Sequence, residues 1–170
     1  VLHARRRAAA ELRLKNAKPS SVLFICHGNI CRSPFAAAVF ARSLPPVIAR
    51  SVTTRSAGFI GPGRTPPSRA LATGAKYGVD MSAHRSAAVT RETLRTADLV
   101  VVMSEEQATA VRSLMRPDAS VLVLGDLDPV PAKRRTIVDP WDGEAEVFEA
   151  SYARIERCVS ELTRIVASAR

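Results

Sequence analysis

The chain has 170 residues, 46% hydrophobic and 24% charged, with a net charge of +9. That length suits one domain with a sizeable core. Its apolar runs fall short of the roughly 18 residues a membrane span needs. No apolar leader follows the basic N-terminus, and three cysteines are too few for a disulfide scaffold. A soluble, reduced, cytoplasmic protein is therefore expected.

Residues 1–19 are read as a basic arm or helical extension. Residues 1–18 hold Arg5, Arg6, Arg7, Arg13, Lys15 and Lys18 against the single acid Glu11. Much of the net charge thus sits outside the remaining chain, residues 20–170, which is read as the functional domain. Charge confined to such an arm is a weak argument for nucleic-acid binding. No nucleic-acid or membrane partner is expected.

"SVLFIC" (21–26) is a short apolar run read as a buried strand. Ser33-Pro34 opens a helix, with Ser33 as N-cap and Pro34 at the first helical position. Phe35, Ala36, Val39, Phe40 and Leu44 share one face of it. Pro45-Pro46 ends it. "SVTTRSAG" (51–58) reads as a second strand, "FIGPGRTPP" as a loop and 68–78 as a helix closing at Gly78. "ADLVVVM" (97–103) is a third strand, buried on both faces, as a parallel sheet requires. A helix capped by Ser104 covers 104–116, and "SVLVLG" (120–125) is a fourth strand. A long loop with three prolines follows. The last helix runs from about 142 to 167, with Val147, Phe148, Tyr152, Ile155, Val159, Leu162 and Val166 at helical spacing. Strands alternating with helices predict an α/β fold: a four-stranded parallel sheet flanked by helices in a three-layer sandwich.

The stretch "FICHGNICRSP" (24–34) carries the chemistry. A loop running from a strand's carboxyl end into a helix start presents free N–H groups and a helix dipole to an anion. Gly28 permits a close backbone approach or a positive φ, and Asn29 tolerates the left-handed region. Cys26 sits at the base of that loop, where the positive field favours its thiolate. Arg32 offers a planar fork for two phosphate oxygens. Ser33 can donate a hydrogen bond to the thiolate. Asp139, ahead of Pro140, can act as a general acid over a neighbouring site. Cys26, His27 and Cys31 lack a CxxC pair or a second ligand cluster, so no metal is expected. No nucleotide P-loop motif occurs.

The sequence resembles the low-molecular-weight protein tyrosine phosphatases, through "VLFICHGNICRSP", "SAG" (56–58), "GVDMSAHRS" (78–86), "ADLVVVM" and "VDPW" (138–141). The resemblance implies a flavodoxin-like sheet without a cofactor, and hydrolysis of phosphotyrosine proteins or small aryl phosphates through a cysteinyl-phosphate. Phosphate-like oxyanions would inhibit. By position it makes Cys26 the nucleophile, Arg32 the phosphoryl clamp and Asp139 the acid. It places His27, Gly28, Asn29, Ile30, Cys31 and Ser33 in the binding loop, Trp141 as a wall, and Ser56 and His84 as loop support. It also implies that an apolar residue at position 30 marks tyrosine-specific members, whereas an arginine-phosphatase branch carries Thr. The loop after "SAG" lacks the second aromatic wall found in many members and has only Phe59 nearby.

Two rivals share these residues. A thiol-coupled arsenate reductase would need further redox cysteines in 78–95, which has none, and Cys158 reads as core. A non-catalytic phosphate-binding module has no visible cause, since Cys26, Arg32 and Asp139 are all present.

Overall fold

A computed structural model describes residues 1–170. Four parallel strands, β1 (Ser21–Cys26), β2 (Thr53–Gly58), β3 (Leu99–Val102) and β4 (Ser120–Val123), lie in the order β2-β1-β3-β4. Strand β1 pairs with both β2 and β3 in parallel, placing Cys26 opposite Gly58. The direction of chain progression reverses between β1 and β3, and in open α/β sheets ligands bind at that crevice, beyond the strands' carboxyl ends. The loop after Cys26 opens there.

Alternation along the strands builds two cores. Val22, Phe24 and Cys26 face one layer with Leu99, Val101 and Met103; Leu23 and Ile25 face the other with Val100 and Val102. The larger core is closed by α1 (Leu2–Ala17), α2 (Arg32–Ser43), α4 (Ser68–Lys76) and α7 (Ala145–Ser168). The predicted face of α2, Phe35, Ala36, Val39, Phe40 and Leu44, is buried there. The α7 face is buried as well, except that Val147 stays half-exposed. The second core is thinner and takes Leu94 from α5 (Arg91–Arg95) with Ala108 and Val111 from α6 (Glu105–Arg112).

Several boundaries differ from the sequence reading. Helix α2 begins at Arg32, with Cys31 in the cap position and no side-chain cap. Ser33 is therefore inside the first turn, and its hydroxyl is spent on the thiol rather than on a helix end. Pro46 opens a one-turn helix, α3 (Pro46–Ala49), because its fixed φ suits a first helical position. Ser104 does cap α6, accepting from Gln107 N–H at 3.3 Å. Strand β4 runs into a 3-10 turn, Leu124–Leu127.

Residues 2–17 form a full helix whose Ala10 and Leu14 are buried in the larger core. Arg7 pairs with Glu161 of α7 at 2.5 Å. Arg6 donates to the Ala132 carbonyl at 3.3 Å, and the His3 ring bonds the Asp128 carbonyl at 2.8 Å. Asp128 itself is fully buried and held by Arg154 at 2.9 Å and Arg157 at 2.7 Å. These arginines organise the long segment that leads to Asp139.

Candidate active site

Cys26 ends β1, and the loop 27–31 curls over its sulfur. Asn29 N–H donates to Cys26 Sγ at 3.3 Å, and Ser33 Oγ lies 3.1 Å from the same atom. Asn29 is the hub of the loop. It is fully buried and takes the left-handed conformation, φ 51. Its Nδ2 donates to Ser33 Oγ at 2.8 Å and Ser56 Oγ at 2.9 Å, while its Oδ1 accepts from Ala87 N–H at 2.8 Å. Gly28 is thus not the residue that takes a positive φ. Its missing side chain instead makes room for Arg64, whose Nη1 would stand 3.0 Å from a Cβ there. Gly58 is required by a closer approach, since a Cβ at that position would meet Asn29 N at 2.7 Å.

The loop's carbonyls are tied from outside. His27 O accepts from the N–H groups of Phe59 at 2.8 Å and Ile60 at 3.2 Å. Asn29 O bonds His84 Nε2 at 2.7 Å, and Cys31 O accepts from the Tyr152 hydroxyl at 3.1 Å. All peptides are trans, so each N–H points opposite to its C=O. The N–H groups of Gly28, Ile30 and Arg32 are therefore turned away from those anchors and toward the inner side of the loop. The result is a nest of inward donors above a sulfur, a form that binds anions.

Arg32 is 4% exposed, so its charge is nearly removed from water. Its Nη1 donates to Ile137 O at 3.0 Å, its Nη2 pairs with the Asp139 carboxylate, and its Nε is buried without a partner. Asp139 accepts at its other oxygen from Trp141 N–H at 3.3 Å. The preceding peptide is fixed by Ser151, whose hydroxyl donates to Val138 O at 3.0 Å. A cavity of about 160 Å³ opens beside the sulfur, with Ile30, Cys31 and Asp139 on its sides. Burial and the Cys26 and Asp139 charges push the Cys31 thiol up to about 12. Burial does the same to Cys158, again to about 12, which marks it as core.

All the residues singled out in the sequence converge here: Cys26, His27, Gly28, Ile30, Cys31, Asp139 and Trp141 line the cavity, with Asn29, Arg32, Ser33, Ser56 and His84 bonded around it. Two lining residues carried no signal, Ile60 and Arg64. They lie on the loop that lacks the expected second aromatic wall. The Arg64 guanidinium sits 5.5 Å from the Trp141 ring centroid, and its backbone is clasped by Ser86 at 3.0 and 2.9 Å. An aliphatic side chain and a guanidinium over the Trp141 ring thus stand where many members have a second aromatic wall, and Phe59 does not line the cavity. Tyr152 also went unrecognised: its helical spacing explained it fully as core.

The fold sets a thiol ringed by hydrogen-bond donors at the switch point of a parallel sheet. The family model described as low molecular weight phosphotyrosine protein phosphatase matches residues 21–170. The low molecular weight phosphotyrosine protein phosphatase of Sus scrofa is 33% identical over 148 residues, covering 81% of this chain and 90% of that protein. A probable low molecular weight protein-tyrosine-phosphatase, EpsP, of Ralstonia nicotianae is 34% identical over 140 residues, covering 82% and 90%. The crystal structure of Primo-1 superposes with a TM-score of 0.75 at 30% identity, covering 85% of this chain and 96% of that one. The chain belongs to the low molecular weight phosphotyrosine protein phosphatase family, and its class is hydrolase. No helix is long and apolar enough to cross a membrane.

Proposed function

We propose that residues 20–170 form a phosphatase domain that hydrolyses phosphotyrosine esters in two displacements on Cys26, with residues 1–19 an extension outside the chemistry. In the first step the Cys26 thiolate attacks phosphorus. The bond from phosphorus to the tyrosyl oxygen breaks, and Asp139 gives its proton to that oxygen. In the second step water attacks the cysteinyl-phosphate, its proton passes to the Asp139 carboxylate, and the P–S bond breaks to release phosphate and the thiolate. Ser33 donates to the departing sulfur.

The observation that carries this reading is the set of donors converging on one sulfur, Asn29 N–H and Ser33 Oγ, inside a loop whose carbonyls are held outward. Arg32 supports it from the other side. Its buried Nε has no protein acceptor, and its Nη2 is shared with Asp139, so a phosphoryl group meets a guanidinium with donors to give. Asn29, Ser56 and His84 hold the loop in shape. His27, Gly28 and Cys31 shape its rim, and Trp141 forms one wall beside the aryl ring. Phosphate-like oxyanions occupy the same nest and inhibit.

Within the phosphoamino acids the reading favours phosphotyrosine over phosphoarginine. Ile30 reaches the cavity with an alkyl side chain that cannot hydrogen-bond a guanidinium nitrogen, and a site with polar needs discriminates far more sharply than an apolar one. Hydrolysis of an aryl phosphate and of matched phosphotyrosine and phosphoarginine peptides tests this. Turnover by the wild type, none by Cys26→Ser, and a higher kcat/KM for phosphotyrosine that Ile30→Thr shifts toward phosphoarginine are expected. A wild type that prefers phosphoarginine would refute the assignment.

A further inference from the structure

Of the three pinned carbonyls, two are held by neighbours in the loops after β2 and α4: His27 O by Phe59 and Ile60, and Asn29 O by His84. The third is different. Cys31 O is held from within the larger core, 121 residues away in sequence, by the hydroxyl of Tyr152 on α7. We propose that Tyr152 is a positioning residue for the phosphate loop: by holding the Cys31 carbonyl it aims the Arg32 N–H at the bound phosphoryl group. This rests on the phosphatase reading above.

Three observations carry it. The peptide joining Cys31 to Arg32 is where the loop becomes helix α2. Its N–H is the first in the helix, one of the donors that have no intrahelical acceptor and are left for an anion. Fixing its carbonyl fixes that donor, because the peptide is planar and trans. Second, the phenol is itself rigid. The Tyr152 ring stacks on Phe35 with centroids 4.1 Å apart and planes 17° apart, and meets Phe148 edge-on at 6.1 Å. It is fully buried, so its hydroxyl has no bulk water to turn to. Third, packing alone calls for phenylalanine here. A buried hydroxyl needs a partner, and the one this hydroxyl has is the loop. Burial also pushes the phenol well above its ordinary value, so it remains a donor at working pH.

Phe35 belongs to the same α2 that Arg32 starts. The Tyr152 ring thus packs against the helix while its hydroxyl holds the peptide at that helix's start. The two functions can be separated by substitution. Tyr152→Phe keeps the stack and removes only the hydroxyl. Phe35→Leu weakens the stack and keeps the hydroxyl.

The experiment compares wild type, Tyr152→Phe and Phe35→Leu for inhibition by inorganic phosphate and vanadate, for kcat/KM on an aryl phosphate, and for Tm. Tyr152→Phe is expected to weaken oxyanion binding and kcat/KM about tenfold, the size of one lost hydrogen bond to a loop that must stay preorganised. Phe35→Leu is expected to lower Tm while its phosphate inhibition constant stays within about twofold of wild type. Unchanged oxyanion affinity in Tyr152→Phe overturns the proposal, and so does an equal affinity loss in Phe35→Leu, which would reduce Tyr152 to packing. A second measurement needs no variant. On titration of the 15N-labelled wild type with phosphate, the Arg32 amide is expected to move downfield with those of Gly28 and Ile30, and an unresponsive Arg32 amide refutes it. Failure of the wild type to turn over any aryl phosphate would instead sink the phosphatase reading.

Discussion

Asn29 concentrates more of the site's geometry than any other side chain, and its replacement can be reasoned through in parts. Asn29→Ala removes the bonds to Ser33 Oγ, Ser56 Oγ and Ala87 N–H. At about 1 kcal/mol for each, with partners left in a buried place, the loss is about 3 kcal/mol. The backbone adds a second term. At φ 51 an alanine pays about 1–2 kcal/mol that asparagine largely avoids. Asn29→Gly loses the same bonds but sits in the left-handed region without strain, and its penalty is instead the extra freedom of the unfolded chain, about 0.5–1 kcal/mol. Asn29→Gly is therefore expected to be the more stable of the two by about 0.5–1 kcal/mol, the reverse of the usual order for these residues in regular structure. Urea unfolding read by linear extrapolation resolves such a gap when the slopes agree. An alanine variant as stable as the glycine variant would refute the left-handed hub. Both variants are expected to lose most turnover, because the lost side chain holds Ser33 Oγ beside the sulfur and fixes the loop whose N–H donates to it.

The other expectations concern separate parts of the molecule. Asp139→Asn should slow unactivated aryl esters by about 100-fold or more and activated ones by far less, since a good leaving group needs little protonation; equal losses for both, in a series of leaving groups, would remove Asp139 from the acid role. Mild peroxide should inactivate reversibly by a Cys26–Cys31 disulfide, the sulfenic acid on Cys26 being trapped by its loop neighbour; peptide mapping that finds sulfinic acid on Cys26 and no crosslink contradicts this. Burial pushes the Asp128 carboxyl up, but bonds from Arg157, Val130 N–H and Arg154 outweigh it and hold the carboxyl below the usual range. A folded value below the unfolded one gives stability that is present above about pH 4 and lost as pH falls further. Asp128→Asn should flatten the decline of Tm between about pH 5 and pH 2, and an unchanged pH profile would show that this carboxylate contributes nothing to it.

Much of the site was legible in the sequence because its parts are local. Cys26, Asn29, Arg32 and Ser33 lie within one turn of loop and helix, and the apolar run 21–26 fixes where that loop begins. The strand pattern was legible for the same reason, through short apolar runs broken by Gly and Pro. What stayed hidden depends on contacts between distant segments. Arg64 lies in a Gly- and Pro-rich loop with no periodicity, and only the fold brings it beside Gly28 and Trp141. Tyr152 satisfied a helical apolar pattern so well that its hydroxyl, which acts 121 residues away, raised no question. Ser33 was read both as a cap and as a partner of the thiol; the hydroxyl does lie beside the sulfur, but the tight loop starts the helix at Arg32, so only the cap was misplaced. Residues 1–19 gave charge but a weak apolar signal, and the burial of Ala10 and Leu14 needs α7 and the 3-10 turn as partners.

The central claim is a covalent phosphoryl group on one sulfur. Rapid-quench reaction with a phosphate-labelled phosphotyrosine peptide, followed by peptide mapping under conditions that preserve thiophosphate esters, tests it directly. The wild type should carry label on Cys26 at a level that rises and decays within turnover. Cys26→Ser should carry none while still binding phosphate or vanadate through Gly28, Ile30 and Arg32. Label on another residue, or full turnover by Cys26→Ser, would contradict the account.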